Sequence, residues 1–561
     1  MTDFVLHPGL LLIVGGVLLA ALQGLPRRVL TIVVPLATLA LVWQVPDGVA
    51  WQARFIGHDI TPLQGDKLSR LFATIFALMA AGGGLFALDQ KSRVEVPAAF
   101  VYAGSAIGVV LAGDLITLFV FWEAMAVGST LVLWSAAEPA AWRAARRYLM
   151  IHLLGGMLLF AGIVGHVGAT GSVAFERMAP DSVAHWLILI GFLVNAGAPP
   201  LSAWLPDAYP EASWSGMVFL SAFTTKAAVY VLMRGFAGTE LLIWIGMIMI
   251  FYGIVYALLE NDMRRILAYS IVNQVGFMVV GIGIGTEMAL NGAAAHAFTH
   301  IIYKALLLMS AGSVLLMTGK RKCSELGGLF HSMPLTTVCG TIGALAISSF
   351  PLTSGFISKS MVTQAATDGQ MIAVWLLLTA ASAGVFLHAG IKFPWFVFFQ
   401  KDSGLRPAEP PAPMRWAMLL FAFLCIALGV WPEPLYALLP YPVHYVPYTG
   451  AHVLTQLQLL LFSGLAFFVM LPWLQRTLTI TLDTDWLWRR PASALVQSLA
   501  AGMACLQQSL GAATDRMVAR LVSYHQRQQG PNSRFARPWP TGAMALWVMV
   551  MLLGYLLLYY F

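Results

Sequence analysis

Long apolar segments alternate with short polar ones along almost the whole chain. About sixteen of these segments have roughly the twenty residues that an α-helix needs to cross the hydrocarbon core of a bilayer. The stretch 335–368 is interpreted as one broken helix. The pattern therefore predicts an all-α, polytopic membrane protein. The apolar runs lie near residues 8–25, 29–45, 68–88, 96–112, 115–135, 148–170, 183–205, 215–235, 240–259, 266–284, 293–318, 335–368, 372–398, 414–432, 453–474 and 541–561.

Composition supports the membrane class and argues against a nucleic-acid-binding protein. Of the 561 residues, 59% are hydrophobic and 10% are charged, a balance that one soluble core could not bury but a bilayer accepts. The net charge of +7 comes from basic residues that are scattered over short loops between apolar runs. Membrane orientation explains such scattered charges better than binding to nucleic acid.

The sequence motifs predict no cofactor. The four cysteines form no C-x-x-C pair and have no iron–sulfur or haem-attachment spacing. The chain also has no P-loop motif and no dinucleotide-binding G-x-G-x-x-G after a strand. No redox or nucleotide site is therefore visible, and we expect the energy for any transport to come from an ion gradient or from a partner protein.

Basic residues mark every second loop near the start of the chain and several later ones. Because Lys and Arg are enriched in cytoplasmic loops, these loops are predicted to be cytoplasmic and both termini periplasmic, as in a bacterial inner-membrane protein. The basic groups are Arg27 and Arg28, Lys91 and Arg93, Arg143, Arg146 and Arg147, Arg264 and Arg265, Lys320, Arg321 and Lys322, and Lys401 and Arg406.

The region that follows the apolar run 453–474 has a different pattern of apolar and polar residues. Between Pro491 and Gln529, leucines and one methionine recur at three-, four- and seven-residue spacing, whereas the other positions are polar or charged. This pattern predicts an amphipathic helix that lies along the membrane or along a neighbouring subunit. An ordinary peripheral helix without a coupling role is an equally open interpretation.

Ionisable residues inside predicted spans are candidates for function because charge is costly at membrane depth. Glu123 lies in the fifth span and Lys226 in the middle of the eighth. A buried carboxylate and a buried lysine are most cheaply kept as a pair, and a change in their separation would alter the proton affinity of each. We therefore expect Glu123 and Lys226 to form a proton switch, with a static ion pair as the alternative.

The eleventh span carries His296, His300 and Lys304 in HAFTHIIYKALL. Their spacing of four and four places all three on one helical face. Histidine titrates near neutrality, so this line of side chains is predicted to relay protons through intervening water. Two histidines at this spacing also suit a metal, but no acidic third ligand accompanies them.

Lys359 follows a break in an apolar helix, where Pro351 and Gly355 interrupt the run. Backbone carbonyls freed at membrane depth are tolerated only against protein or water, so a hydrated cavity is expected beside Lys359. A similar break occurs in the seventh span at Pro199 and Pro200. The alternative interpretation is a simple loop between two short spans.

Several of these motifs together resemble one known family. The fifth-span WE, WLPDA after the broken seventh span, NDMRRILAYSIVNQVGF, HAFTHIIYKALLLMSAG and FPLTSGFISK resemble the antiporter-like subunits shared by respiratory complex I, Mrp-type cation/proton antiporters and membrane-bound hydrogenases. The resemblance covers residues 96–400. It implies about fourteen core transmembrane helices with two inverted five-helix repeats, each of which contributes a half-channel.

The resemblance also implies roles for the ionisable residues of the spans. Glu123 matches the family's fifth-helix glutamate, and Lys226 matches its eighth-helix lysine. His296, His300 and Lys304 match the central relay, and Lys359 matches the exit lysine on the broken twelfth helix.

One position departs from the family pattern. The family usually has a lysine five residues before the seventh-helix proline, and here that residue is Asn195, which cannot titrate. The first half-channel is then expected to work either with Lys226 alone facing Glu123 or with His152 of the sixth span as a substitute.

The expected function is that of a proton-translocating subunit of a multi-subunit Mrp-like cation/proton antiporter, with Na+ or K+ as the other ion. The alternatives are a proton channel that couples a partner's work, such as hydrogenase, dehydrogenase or inorganic-carbon uptake, and, less in keeping with the short loops, a membrane transferase. The expected segments are N-terminal spans in 1–95, a first repeat in 96–235, a second repeat in 240–398, additional spans in 414–475, the amphipathic segment in 476–540 and a last span in 541–561.

Topology is the first testable expectation. Reporter tags placed in the loops 90–93 and 320–322 should be protected in intact spheroplasts, because these loops carry the basic residues of the cytoplasmic side. Tags at either terminus should be accessible from the periplasm. Cleavage of the 320–322 loop by a protease added outside would contradict this orientation.

Overall fold

The apolar runs become helices in the computed structural model, which describes residues 5–473, 483–531, 533 and 536–561. The described part of the chain contains twelve helices that are long and apolar enough to cross a membrane. Four shorter apolar helices accompany them. The predicted helical, multi-pass architecture is therefore confirmed.

The N-terminal part also contains a β-hairpin that the sequence analysis did not predict. Strands β1 (Gly48–Phe55) and β2 (His58–Gly65) pair antiparallel, with Phe55 opposite His58 at the turn. A hairpin of this length is too polar to be recognised as a span and too short to stand out between helices. The flanking helices are α1 (Pro8–Ala21), α2 (Gly24–Val42) and α3 (Lys67–Phe86).

The region expected to form the first repeat consists of seven helices. Three of them, α8 to α10, are short because the chain is interrupted within or after a span. The helices are α4 (Glu95–Leu111), α5 (Leu115–Trp134), α6 (Pro139–Thr170), α7 (Val183–Ala196), α8 (Trp204–Ala208), α9 (Gly216–Leu220) and α10 (Thr224–Phe236).

The region expected to form the second repeat begins with three helices that follow one another closely. Its last span changes from α-helical to π-helical geometry over Phe386–Lys392 and Trp395–Phe399. The helices are α11 (Leu241–Leu259), α12 (Met263–Ile284), α13 (Glu287–Thr318), α14 (Pro334–Ile347), α15 (Ser354–Asp368) and α16 (Ile372–Val385). The inverted symmetry of the two repeats remains a prediction.

The chain divides into two compact units, Met1–Asp485 and Trp486–Phe561. The first ends with α17 (Ala412–Val430), α18 (Glu433–Tyr436) and α19 (Gly450–Val469). The second holds α20 (Ser493–Gln529) and α21 (Thr541–Tyr560), so the long amphipathic helix is confirmed. The expected boundary between 414–475 and 476–540 lies outside the described residues, as do the first four residues.

Both predicted helix breaks are present. Helix α7 ends at Ala196, where Gly197 adopts a left-handed φ of 79°, and α8 begins only at Trp204. Likewise α14 ends at Ile347 and α15 begins at Ser354. A third break separates α9 from α10 at residues 221–223, and it carries no proline or glycine that would have indicated it.

Ion pairs hold several loops together at one end of the first unit, including loops that carry the basic residues. Arg147 binds Asp207 through two hydrogen bonds of 2.7 and 2.8 Å. Arg321 lies 2.9 Å from Glu211 and 2.6 Å from Asp262. The loops that carry several of the basic residues therefore lie on the same side of the bundle, as alternating spans require.

Helices α11 and α12 cross at closely packed glycines. A Cβ atom built on Gly276 would lie 2.7 Å from the carbonyl oxygen of Gly246, and the reverse distance is also 2.7 Å. Small residues at such crossings let two backbones approach, which is how helices associate without water.

Gly276→Ala should destabilise the protein by about 1–3 kcal/mol, because the added methyl forces the two backbones apart. Gly168→Ala is the matched control, since a Cβ at Gly168 meets no atom within 4 Å and alanine favours the helix. Thermal unfolding of the detergent-solubilised protein measures both effects. Equal unfolding temperatures for the two variants would show that this crossing does not depend on the glycine.

Candidate functional site

The six ionisable residues singled out in the spans all lie in the first unit, on four helices. Glu123 is on α5, Lys226 on α10 and Lys359 on α15, and α13 carries the two histidines and Lys304. The five basic side chains are at most 2% exposed. Because charge at membrane depth is costly, their burial in one bundle needs an explanation.

Lys226 is held by the break in its own span. Its Nζ donates to the carbonyl oxygen of Ser221 at 2.7 Å and to Thr225 Oγ1 at 3.1 Å. The carbonyl is one that the interruption between α9 and α10 releases from helix pairing. Helices α9 and α10, on either side of this break, both pack against α13, so this lysine lies beside the α13 line rather than apart from it.

The expected direct pair between Glu123 and Lys226 is wrong. No ion pair joins them in the part of the chain that the structure describes. Lys226 already has acceptors on its own span, whereas the Glu123 carboxylate lies against Gly156 of α6. Glu123 Oε1 is buried without a hydrogen-bond partner among the described residues. A proton exchanged between the two must therefore cross a gap.

The histidines on α13 differ in their partners. His296 Nε2 lies 3.0 Å from Gln274 Oε1, which also accepts from the Tyr303 hydroxyl at 3.2 Å. Neither ring nitrogen of His300 has a partner among the described residues, and the two imidazole centroids are 6.2 Å apart. Buried polar atoms need partners, so proton transfer between these rings depends on bridging water.

Lys304 and Lys359 continue the line in opposite directions. Lys304 Nζ donates to Ser270 Oγ at 2.9 Å. Lys359 Nζ lies 4.5 Å from the centroid of the Phe277 ring and 3.5 Å from the carbonyl oxygen of Ile347. This carbonyl belongs to the end of α14, so a second lysine contacts the open end of a broken helix.

Asn195 on α7, the position that departs from the family pattern, and His152 on α6, its expected substitute, both lie at the same stretch of α6. Asn195 is 1% exposed, its Oδ1 has no partner among the described residues, and it lies beside Gly155. His152 Nδ1 is bonded to the carbonyl oxygen of Tyr148 at 2.9 Å, and its Nε2 is likewise unpartnered in the described part of the chain. A substitute role for His152 remains a prediction.

The sequence analysis missed Glu95, a fully buried carboxylate at the start of α4. It accepts from Ser213 at 2.6 Å, from Ser135 at 3.1 Å and from Ser215. Its position beside Lys91 and Arg93 made it look like an ordinary loop charge. Only the folded chain brings the three serines around it.

His388 and Lys392, in the π-helical part of the thirteenth apolar run, are two further buried groups that were not predicted from the sequence. His388 is fully buried and bonds the carbonyl oxygen of Gly384 at 2.8 Å. Lys392 Nζ donates to the carbonyl oxygens of Ala257, Leu258 and Glu260, which end α11, at 3.1, 2.6 and 2.5 Å. The spacing of four in HAGIK repeats that of the α13 motif and could have identified them.

Comparison with known proteins identifies a family that matches the region carrying most of these residues. The family described as NADH:quinone oxidoreductase/Mrp antiporter, transmembrane, matches residues 112–384. An uncharacterized protein of Mycobacterium tuberculosis (strain ATCC 25618 / H37Rv) is 31% identical over 74% of this chain and 71% of its own length. The chain belongs to this family. It is a proton-translocating, antiporter-like membrane subunit.

Two further relatives carry functional names. A component of the Na(+)/H(+) antiporter of Alkalihalophilus pseudofirmus is 29% identical over 70% of this chain and 83% of its own length. A component of a probable K(+)/H(+) antiporter of Rhizobium meliloti is 31% identical over 64% of this chain, but the chain spans only 40% of that protein's length.

Two solved complexes contain a chain of the same fold. One is the Mrp complex from Dietzia sp. DQ12-45-1b, with a TM-score of 0.69 and 22% identity over 78% of this chain and 96% of the other. The other is respiratory complex I from Thermus thermophilus, with a TM-score of 0.69 and 22% identity over 81% of this chain and 99% of the other.

Lys359 should be the most sensitive single position. Lys359→Ala removes both charge and proton site, Lys359→Arg keeps a charge that is not released at accessible pH, and Lys359→His keeps a titratable group. We expect proton transport to fall at least about tenfold in the first two and less in the third. The assay is dye-reported proton movement in membrane vesicles.

Lys401→Ala is the control for this series, because Lys401 is exposed. Near-normal transport by Lys359→Arg together with loss in Lys359→Ala would mean that this position supplies a fixed charge. Proton release from Lys359 would then be ruled out.

Proposed function

We propose that this protein is the proton-translocating subunit of a multi-subunit cation/proton antiporter of the Mrp type in a bacterial inner membrane, with both termini in the periplasm. Protons move along a buried relay of Glu123, Lys226, the α13 histidines with Lys304, and Lys359. The antiported ion is Na+ or K+.

The observation that carries the proposal is the line of five buried basic side chains across one bundle. Such residues in spans almost always mark ion or proton pathways, because lipid-facing positions do not tolerate them. The line has gaps at the scale of a water molecule, for example between His296 and His300. Transfer through water between fixed titratable groups fits this spacing better than binding of a larger substrate.

The helix breaks support the role of the two outer lysines. Both Lys226 and Lys359 contact a backbone carbonyl released by an interruption, Ser221 in one case and Ile347 in the other. Discontinuous helices are the recurring device by which transporters place cations at the membrane midplane. A lysine in that position can keep its proton near the carbonyl or lose it when its surroundings change.

The proposal that partner proteins bind this chain is supported by side chains that remain exposed within it. Glu123 is only half-buried although it lies in the middle of an apolar helix. A carboxylate facing lipid would be costly, so a neighbouring membrane subunit is the fitting cover. Within the second unit, α20 has no buried residue, so its apolar stripe finds no cover inside that unit.

A second candidate function is a proton channel that couples a partner's redox reaction or inorganic-carbon uptake. The matched family itself spans NADH:quinone oxidoreductase and Mrp antiporter subunits, and both kinds of complex contain this fold. The two candidates differ in one property, which is whether an imposed Na+ or K+ gradient drives proton movement without a partner's reaction.

The test uses the complex purified through a tag on this chain and reconstituted in proteoliposomes that contain a pH-sensitive dye. A Na+ or K+ gradient should drive proton movement by the wild type. Glu123→Gln should lower the rate at least about tenfold with normal assembly, because it removes a titrating group and keeps the shape. Glu240→Gln, at the exposed N-cap of α11, is the matched control.

Proton movement that requires a partner's substrate and ignores both cation gradients would support the coupled channel instead. Undiminished transport by Glu123→Gln would remove Glu123 from the relay. Mass spectrometry of the co-purifying proteins identifies the complex in either case.

A further inference from the structure

A polar cavity reaches Lys359 from one end of the bundle. Its volume is about 350 Å³, enough for on the order of ten water molecules at roughly 30 Å³ each. The walls come from one side of α15 between Phe356 and Thr367, from one side of α16 between Trp375 and Ser382, and from the first part of α19. By the alternation of the basic loops, this is the end predicted to face the periplasm.

The third wall comes from outside the part of the chain that the family match covers. Helix α19 begins at Gly450, whereas the match ends at residue 384. It contributes His452, Gln456 and Gln458 to the lining. Gln456 Nε2 also donates to the carbonyl oxygen of Ser348 at 3.3 Å, which is one of the carbonyls at the break between α14 and α15.

His452 is held in a defined orientation at this wall. Its Nδ1 lies 2.7 Å from the carbonyl oxygen of Pro447, and a carbonyl can only accept. The proton of the neutral ring is therefore on Nδ1, and Nε2 has the free lone pair. The ring stacks on Phe356 with centroids 4.5 Å apart and an interplanar angle of 19°.

Phe356 places the histidine close to the relay. It precedes Lys359 by one helical turn on α15, and both line the same cavity. The residue just before the lysine, Ser358, bonds Thr299 of α13 at 2.8 Å. The cavity therefore has His452 on one wall and Lys359 on another, and the serine next to the lysine contacts α13.

We propose that His452 is the terminal proton-exchange group of the relay, which accepts the proton of Lys359 through cavity water at Nε2 and passes it to the aqueous phase. This inference rests on the proposed function and assigns a role to a helix outside the matched region. The proton transfer is balanced: the Lys359 N–H bond breaks, an N–H bond forms at His452 Nε2, and the imidazolium then releases the proton to water.

The titratable groups that face His452 come from two elements. Lys359 faces it from α15, and Tyr445 and Tyr448 face it from the segment between α18 and α19. The residues of α16 that line the cavity, Trp375, Thr379 and Ser382, do not titrate. No carboxylate lines this cavity among the described residues, so its basic side chains are Lys359 and His452.

The experiment measures proton transport by the reconstituted complex with His452→Ala and tests rescue by imidazole added on the side where the cavity opens. We expect at least about a tenfold lower rate, in line with the loss of a proton-transfer group, and partial recovery with imidazole, because the cavity can hold it. His444→Ala, which removes an exposed histidine of the preceding segment, should transport normally.

His452→Asn covers the case in which the alanine variant fails to assemble. Asparagine can donate to the Pro447 carbonyl as Nδ1 does, but it cannot be protonated, so we expect assembly with low transport. Normal transport by His452→Asn, or a loss in His452→Ala that imidazole does not restore in an assembled complex, would overturn the proposal.

The wild type and Lys359→Ala separate this inference from the proposed function. If the wild-type complex moves protons and Lys359→Ala does not, the relay stands whatever His452 does. If the wild type moves no protons under any gradient, the proposed function itself is at fault.

Discussion

The interruption of spanning helices is the constraint on which the rest of this structure depends. A helix that stops inside a membrane leaves carbonyl oxygens without partners, and lipid offers none. In this chain, lysine ammonium groups contact such carbonyls. Lys226 donates to the carbonyl oxygen of Ser221, and Lys359 Nζ approaches that of Ile347. Lys392 contacts the carbonyls at the C-terminal end of α11, next to the loop at residues 260–262. Each unpaired carbonyl thus provides a place where a lysine tolerates burial.

The long helix α13 is the element that lies between these breaks. Every residue from Ala289 to Val314 is buried, so its polar side chains meet only protein or trapped water. One side chain, His296, has a strong protein partner in Gln274, whereas His300 has none among the described residues. This difference gives the first ring a fixed protein partner and leaves the second to water, which suits the proton exchange that we propose for it.

Elements at the edge of the bundle decide the surroundings of Lys359 and Glu123. Helix α19 closes a polar cavity around Lys359 with His452 and Gln456, whereas Glu123 remains half-exposed. In the proposed relay, the end at Lys359 is therefore completed within the chain, and the end at Glu123 is the one we propose a neighbouring protein covers.

The sequence by itself determined the membrane class, the helical spans, two of the helix breaks and six ionisable residues within the spans. It could do so because hydropathy, proline and charge act locally, at the scale of one span. No such local signal marked three features: the break at residues 221–223, the β-hairpin, and the three serines that donate to Glu95. Only the tertiary structure decided that Lys226 bonds its own span rather than Glu123, and that α19 reaches Lys359, because both depend on which helices lie side by side. Side-chain pairing across a bundle is set by packing between segments far apart in sequence, and periodicity along one helix does not encode it.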